Sequence, residues 1–241
     1  MIRLTRRGRA VLLFVVVLAL VAAVLGAQQL RTPPTSAGDS VTTHSTIPGL
    51  GPKTLAEIPS DATHVVVSTG ESMDSNVTDT VLWSKNTTTG DWTPSHTMAG
   101  HNAEDGWTTD HTEGDLRSPI GVYSITDVGG SDPAPSGTEL PYTQSDDFAA
   151  SGTGFDGESL ADVFDYVIAI NYNRVPGTSP LDDQRPEGQE KGGGIWLHVD
   201  HGGGTHGCVA VSANDMVYLL QHLDPADHPV IVMGPDSSLA E

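Results

Sequence analysis

The chain has 241 residues, of which 37% are hydrophobic and 17% are charged, and it contains 27 glycines. This composition excludes a wholly disordered protein and favours strands and loops, since helical proteins usually carry more Lys, Glu, Leu and Ala. The formal net charge is −20, and beyond residue 27 only 7 basic residues face 31 acidic ones. So acidic a surface repels polyanions, which excludes nucleic acid from the expected partners.

The N-terminal 60 residues divide into three segments. Residues 1–9 carry four arginines and no acid, and residues 10–27 are an uncharged apolar run long enough to cross a hydrocarbon core of about 30 Å. Because basic flanks stay in the cytoplasm, we expect a transmembrane anchor and an exported domain at the cell membrane. A cleaved signal peptide, which would give a secreted protein, is the alternative. Residues 28–60, rich in Pro, Thr, Ser and Gly, are interpreted as a stalk.

Residues 61–241 show the pattern of a mostly β domain. Short runs of β-branched and aromatic residues, bounded by turn formers, predict strands at 64–70, 79–86, 120–126, 165–173, 194–200 and 229–234. A capping box at Ser212 predicts a helix that ends before Asp224, and a second short helix is predicted over 158–164. The polar segments 97–117 and 127–160 exceed hairpin length and are predicted to build a functional surface.

Cys208 is the only cysteine, so an intramolecular disulfide is excluded even though an exported domain is expected. In the strand that precedes it, alternation points Ile195, Leu197 and Val199 to the core and places three residues on the opposite face: Trp196, His198 and Asp200. A glycine-rich turn then returns the chain to Cys208. His198 or His206 is therefore expected to approach the sulfur.

Such an imidazole can take the proton of a thiol or lower its pKa, and the backbone amides around Cys208 could stabilise an oxyanion, with Gly207 allowing close approach. On spacing alone, three interpretations of Cys208 stay open. It can be a nucleophile, a buried structural thiol, or a metal ligand together with His198, His201 and His206.

Several segments together resemble one enzyme family. Thr205-His206-Gly207-Cys208, followed by an apolar residue, resembles the Ser/Thr-His-Gly-Cys signature of the L,D-transpeptidases, cysteine enzymes of bacterial peptidoglycan. The strand ending at His198 is similar to the one that bears their first histidine. Residues 113–123 resemble their upstream "gDgrTPxGvY" segment, and the strand that ends at residue 173 also fits. The resemblance covers roughly residues 62–236 and implies a β-sandwich or barrel catalytic domain with one or two short helices.

The resemblance also implies a reaction and its residues. Cys208 would attack a tetrapeptide stem, release D-alanine and form a thioester, which an amine of a second stem resolves as a 3-3 cross-link. His198 would be the general base, His206 would position or polarise the site, and Gly207 would supply an oxyanion amide. Candidate substrate-binding residues are Trp196, Asn171, Tyr172 and Arg174. Carbapenem-type inhibitors would acylate Cys208; no cofactor or metal is required, and a monomer is expected.

Two features depart from the family pattern. The family usually has a longer stretch between its first histidine and the cysteine, whereas only nine residues separate His198 from Cys208 here. This short spacing leaves His201 as an alternative base. Ala210 stands where the family often has Asn or Arg, so a substrate carboxylate would need another cation, for which Arg117, Arg174 and Lys191 are candidates. Two other functions stay open: an L,D-carboxypeptidase-like hydrolase of the same fold, and a non-catalytic wall-binding domain with a structural zinc at the His/Cys cluster.

Overall fold

The structure is a computed structural model that describes residues 42–241. The predicted anchor at 10–27, the basic segment before it and the first part of the predicted stalk lie outside the described residues. Among residues 42–241, no helix has both the length and the apolar character needed to cross a membrane.

The described residues form a mostly β domain with few helices. Its strands are β1 (His64–Gly70), β2 (Val77–Lys85), β3 (Trp92–His101), β4 (Trp107–Thr108), β5 (Ser118–Pro119), β6 (Gly121–Gly130), β7 (Tyr142–Gln144), β8 (Val167–Ile170), β9 (Trp196–Val199), β10 (Val209–Val211) and β11 (Val230–Pro235). The α-helices are α1 (Pro52–Glu57), α2 (Ala213–His222) and α3 (Asp236–Leu239).

Eight of these strands close into a barrel. Their order is β11-β1-β2-β3-β10-β9-β8-β6, and pairing of β6 with β11 closes the ring. The remaining strand of this sheet, β7, pairs with the C-terminal end of β6 at residues 128–130. Closure leaves the ring without free edges. Most neighbours in the barrel are antiparallel, but β1 and β11 are parallel, and so are β9 and β10. The chain must therefore travel back along β9 before β10 begins, and residues 200–208 make this short return.

Both faces of β1 are buried, which explains its continuous apolar run. Val66 packs in the interior cluster with residues of β8 and β9, whereas Val65 and Val67 pack outside the barrel against Ile47 and Leu50. Residues 42–58 thus cover the outer face of the sheet. Composition placed this segment in the stalk; the structure instead packs it on the domain, because its few apolar side chains meet the outward face of β1.

The structure confirms most of the predicted elements. All six predicted strands are present, and the Ser212 side chain caps α2 by accepting the Asp215 N–H. The predicted helix over 158–164 is wrong: the segment forms turns, and the Glu158 side chain binds the Asp156 N–H instead of facing solvent from a helix. The sequence also missed β3, whose run of Pro, Ser, His and Thr lacks regular apolar alternation.

Candidate active site

Cys208 lies immediately before β10 and faces the same side of the sheet as two aromatic residues of β9. The parallel register pairs Val209 with Leu197 and Ala210 with His198, so Cys208 stands opposite Trp196. Paired residues of neighbouring strands project to the same face. Cys208, Trp196 and His198 therefore share one face, and the predicted core residues of β9 pack into the barrel interior: Ile195, Leu197 and Val199.

The sulfur of Cys208 is bound by backbone groups. The Trp196 N–H lies 3.4 Å from Sγ, and the thiol points to the Gly194 carbonyl oxygen at 3.6 Å. The residue keeps partial exposure, but the surroundings of Sγ are dense enough that burial raises the pKa of the thiol to about 11, against the smaller opposing effect of the Trp196 N–H. At neutral pH the free protein therefore holds a protonated thiol.

His198 is buried and has a defined tautomer. Its Nδ1 lies 2.9 Å from the Val199 carbonyl oxygen, so Nδ1 carries the proton and donates it. Burial lowers the pKa of His198 to about 4, which keeps the ring neutral and leaves a lone pair on Nε2. Within residues 42–241, Nε2 has no hydrogen-bond partner. His198 thus has the protonation state of a base.

The other two histidines of this region point elsewhere. His206 is exposed, and its ring packs against Phe155 at 4.8 Å between centroids. His201 binds Glu158 through Nδ1 at 2.8 Å and lies parallel to His198 at 6.1 Å. Among the described residues, no imidazole is hydrogen-bonded to the Cys208 sulfur. The expected approach of His198 or His206 to the thiol is therefore not seen as a hydrogen bond with either ring.

The two amides proposed for the oxyanion differ in availability. The Gly207 N–H donates to the Thr205 hydroxyl at 3.2 Å, whereas the Cys208 N–H makes no hydrogen bond to any residue in 42–241. Gly207 itself is required by the backbone: its φ is +152°, and a Cβ would lie 3.1 Å from Ile195 Cδ1. Cys208 therefore carries the free donor, and Gly207 provides the close packing behind it.

The upstream segment at 113–123 lies directly against the signature residues. Asp115 accepts the backbone N–H groups of Thr112 and Arg117, each at 2.9 Å, and its carboxylate lies 2.9 Å from His111 Nδ1. These contacts fold the turn that places Ser118 beside Cys208. His111, predicted only as part of a polar loop, is buried and lies next to Gly207; no local sequence signal distinguishes it from a solvated histidine.

Three of the predicted substrate-binding residues are engaged by the protein itself. Arg174 forms a buried ion pair with Asp127 at 3.1 Å, and the side chains are 4% and 5% exposed. Asn171 donates to the hydroxyls of Ser124 and Thr126. The hydroxyl of Tyr172 donates to the Lys191 carbonyl at 2.9 Å. The structure thus gives Arg174 a structural role, because freeing its guanidinium would leave a buried carboxylate unpaired.

Trp196, the fourth predicted substrate-binding residue, lies beside the thiol. Its indole packs against Phe164 and Phe148, with ring centroids 5.1 and 5.8 Å apart. The indole Nε1 is buried and has no hydrogen-bond partner in the part of the chain that the structure describes. Trp196 is partly exposed on the sheet face that it shares with Cys208, so its ring can border a bound peptide, while its Nε1 is enclosed by the protein.

The described side chains do not assemble a metal site. Within residues 42–241, no three His, Cys, Asp or Glu side chains gather closely enough to hold one ion. The four candidate ligands diverge, because His198 is bonded to its own strand, His201 to Glu158, and His206 packs on Phe155.

A family model for the YkuD L,D-transpeptidase catalytic domain matches residues 62–232, a range that includes seven barrel strands in full, the first half of β11 and each site residue described above. No curated protein and no solved structure matches the chain.

Proposed function

Because the chain belongs to the family of L,D-transpeptidase catalytic domains, whose members act on peptidoglycan stem peptides, we propose that it is a cysteine acyltransferase that joins two such stems. In this reaction the Cys208 sulfur attacks the carbonyl carbon between the third residue and the D-alanine of a tetrapeptide stem. A thioester forms, D-alanine leaves, and an amine of a second stem then replaces the sulfur. The product is a 3-3 cross-link.

A general-base mechanism starts from a neutral thiol and a neutral imidazole. The gap between their pKa values disfavours proton transfer before attack, so the proton must move while the C–S bond forms. Burial holds the pKa of Cys208 at about 11 and that of His198 at about 4, so both groups are neutral when the substrate arrives. His198 Nε2 takes the thiol proton as the sulfur attacks, and returns it to the departing amine of D-alanine. No hydrogen bond joins thiol and imidazole in the free protein, so substrate binding has to bring them into contact.

Two further groups support the acyl step. The free Cys208 N–H is the donor available to an oxyanion on the attacked carbonyl, since the Gly207 N–H is already used by Thr205. The partly exposed Trp196 contacts the donor stem with its ring. His206 is proposed to contact the substrate from the surface, and Asn171, Tyr172 and Arg174 to hold the neighbouring loops.

The observation that carries this proposal is the tautomer of His198. Its Nδ1–H is bound to the Val199 carbonyl, which leaves the Nε2 lone pair on the sheet face that also presents the Cys208 thiol. A buried structural thiol would not need a neutral imidazole with a free lone pair beside it.

The test is intact-mass analysis after exposure to a carbapenem, which acylates nucleophilic cysteines of this family. We expect one adduct on the wild-type protein and none on Cys208→Ala. As Cys208 is the only cysteine, any adduct that survives this substitution would reject the thiol as the nucleophile. Wild-type protein that stays unmodified would reject the acyltransferase.

Products formed from purified tetrapeptide stems separate transfer from hydrolysis. Cross-linked dimers support the transpeptidase, while tripeptide alone would make the protein an L,D-carboxypeptidase-like hydrolase. Elemental analysis addresses the wall-binding alternative: about one zinc per chain together with a thiol that resists alkylation would replace the enzyme by a zinc-stabilised binding domain.

We also propose that the domain works outside the cytoplasmic membrane, tethered by residues 10–27. The support is the order of residues 1–27, in which four arginines precede an uncharged apolar run. Fractionation of cells that express the full chain, followed by protease treatment of spheroplasts, tests this. A domain that stays protected from the protease would refute it.

A further inference from the structure

The carbonyl group of Cys208 is held by two hydroxyl groups from different parts of the chain. The Thr205 hydroxyl donates to the Cys208 oxygen at 2.7 Å, and the Ser118 hydroxyl donates to the same oxygen at 3.1 Å. Thr205 belongs to the signature itself, but Ser118 lies 90 residues away in sequence. Ser118 therefore provides a long-range restraint on the backbone of the nucleophile.

Burial and hydrogen bonds restrict the Ser118 side chain to one position. Its side chain is fully buried, and its oxygen accepts the Ala103 N–H at 3.0 Å while its hydrogen goes to Cys208. The Ser118 N–H donates to the Gly106 carbonyl at 2.8 Å. Both hydrogen-bonding functions of the hydroxyl are thus used, and the hydroxyl cannot rotate away without leaving a buried polar group unpaired.

The backbone of Asn102 and Ala103 also holds the signature residues 205–208 in place. Ala103 pairs with Thr205 in an isolated parallel bridge, and the Thr205 N–H donates to the Asn102 carbonyl at 2.9 Å. Ser118 therefore joins three segments, at 102–106, 115–119 and 205–208. A rigid peptide at Cys208 sets two directions at once, that of the Cα–Cβ bond carrying the sulfur and that of the free Cys208 N–H.

We propose that Ser118 is a positioning residue for Cys208, acting through the Cys208 carbonyl to hold the thiol and the adjacent amide in the orientation that acyl transfer requires. This inference rests on the proposed function, since orientation of the amide matters only when an acyl carbonyl is attacked. An acyl transfer needs both the attack direction and the oxyanion donor, and misplacing either slows it. Simple alkylation of the sulfur needs neither.

The test compares acylation with alkylation in the same protein. Carbapenem acylation and iodoacetamide alkylation of Cys208 are followed by intact mass in the wild type and in Ser118→Ala. We expect the acylation rate constant to fall about tenfold or more, as for loss of one buried hydrogen bond, while the alkylation rate stays within about twofold. Ser118→Thr retains the hydroxyl and is expected to acylate within about threefold of the wild type, whereas Ser118→Val, of the same shape, is not.

Ser68→Ala is the matched control, because Ser68 is also fully buried and accepts a hydrogen bond from Thr80 on the strands β1 and β2. It should leave both rates near those of the wild type.

Equal acylation by Ser118→Ala and Ser68→Ala would overturn the inference, and so would a parallel loss of acylation and alkylation, which would indicate a general packing role. If Ser118→Ala does not fold, the threonine and valine variants decide: equal acylation rates in these two would also overturn it. Wild-type protein that takes no carbapenem adduct would overturn the proposed function, and this inference with it.

Discussion

His198 and His206 flank the same glycine-rich turn, yet the fold gives them opposite environments. His198 is 4% exposed, its Nδ1 is bound to a carbonyl of its own strand, and its pKa is lowered to about 4 by burial. His206 is exposed and packs its ring on Phe155. The difference shows that nearness to a cysteine in sequence does not make a histidine its base. Burial keeps one ring neutral and its tautomer leaves Nε2 without a hydrogen-bond partner in residues 42–241, whereas the other ring lies at the surface.

The largest expected effect is the difference in acylation rate between variants of the two histidines. His198→Gln should lower the carbapenem acylation rate by about a hundredfold to ten-thousandfold, the usual contribution of a general base. His206→Gln should stay within about tenfold of the wild type, because its ring does not contact the thiol. Rates come from intact-mass time courses. Comparable losses in both variants would erase the distinction, and a larger loss in His206→Gln would reverse it.

The next prediction concerns the thiol of Cys208. Since burial raises the pKa of Cys208 to about 11, iodoacetamide should alkylate it about a hundredfold more slowly at pH 8.5 than it alkylates an ordinary thiol of pKa near 8.5. The rate should keep rising through pH 10. A small cysteine peptide serves as the reference. A plateau near pH 8.5 would mean that the thiol behaves as an ordinary solvated one and that burial does not raise its pKa.

Stability against pH tests the burial of His198 directly. The folded-state pKa of about 4 lies below the ordinary 6.5, so the unfolded chain takes up a proton first as the pH falls. This contribution to stability is complete above pH 6.5 and is lost as the pH falls to about 4, by about 3 kcal/mol in the free energy of unfolding. Urea unfolding of the wild type and of His198→Gln measures it.

In that experiment His198→Gln should lose less stability on acidification than the wild type, and the difference should be about 3 kcal/mol between pH 7 and pH 4. His206→Gln is the matched control and should follow the wild-type curve. Parallel curves for all three proteins would show that His198 is not held neutral by its surroundings.

The smallest effect comes from the aromatic neighbours of the two rings. Phe164 stands edge-on to His198 at 5.4 Å. Phe164→Ala should admit water, raise the pKa of His198 toward its ordinary value and move the acid limb of the acylation rate upward by about one pH unit. Phe155→Ala removes the ring beside His206 and should leave the acid limb in place. An equal shift in both variants would contradict the assignment of the base.

The sequence alone was sufficient for the features that depend on local pattern. β-branched runs identified the six strands, Ser212 identified the start of α2, and the alternation in β9 separated core residues from site residues, because side-chain direction follows from backbone geometry. The order of the signature motifs predicted the family that the match over residues 62–232 shows. The single cysteine excluded an intramolecular disulfide.

Tertiary structure decided what depends on distant neighbours. The packing of residues 42–58 on β1, the buried pair of Arg174 with Asp127, and the use of the Gly207 amide by Thr205 all arise from contacts that no local pattern encodes. The difference between His198 and His206 also arises from such contacts, because their residue type is identical. Desolvation lowers the pKa of His198 and hydrogen bonding fixes its tautomer, and both effects exist only after β8, β9 and the loop at 152–160 have come together.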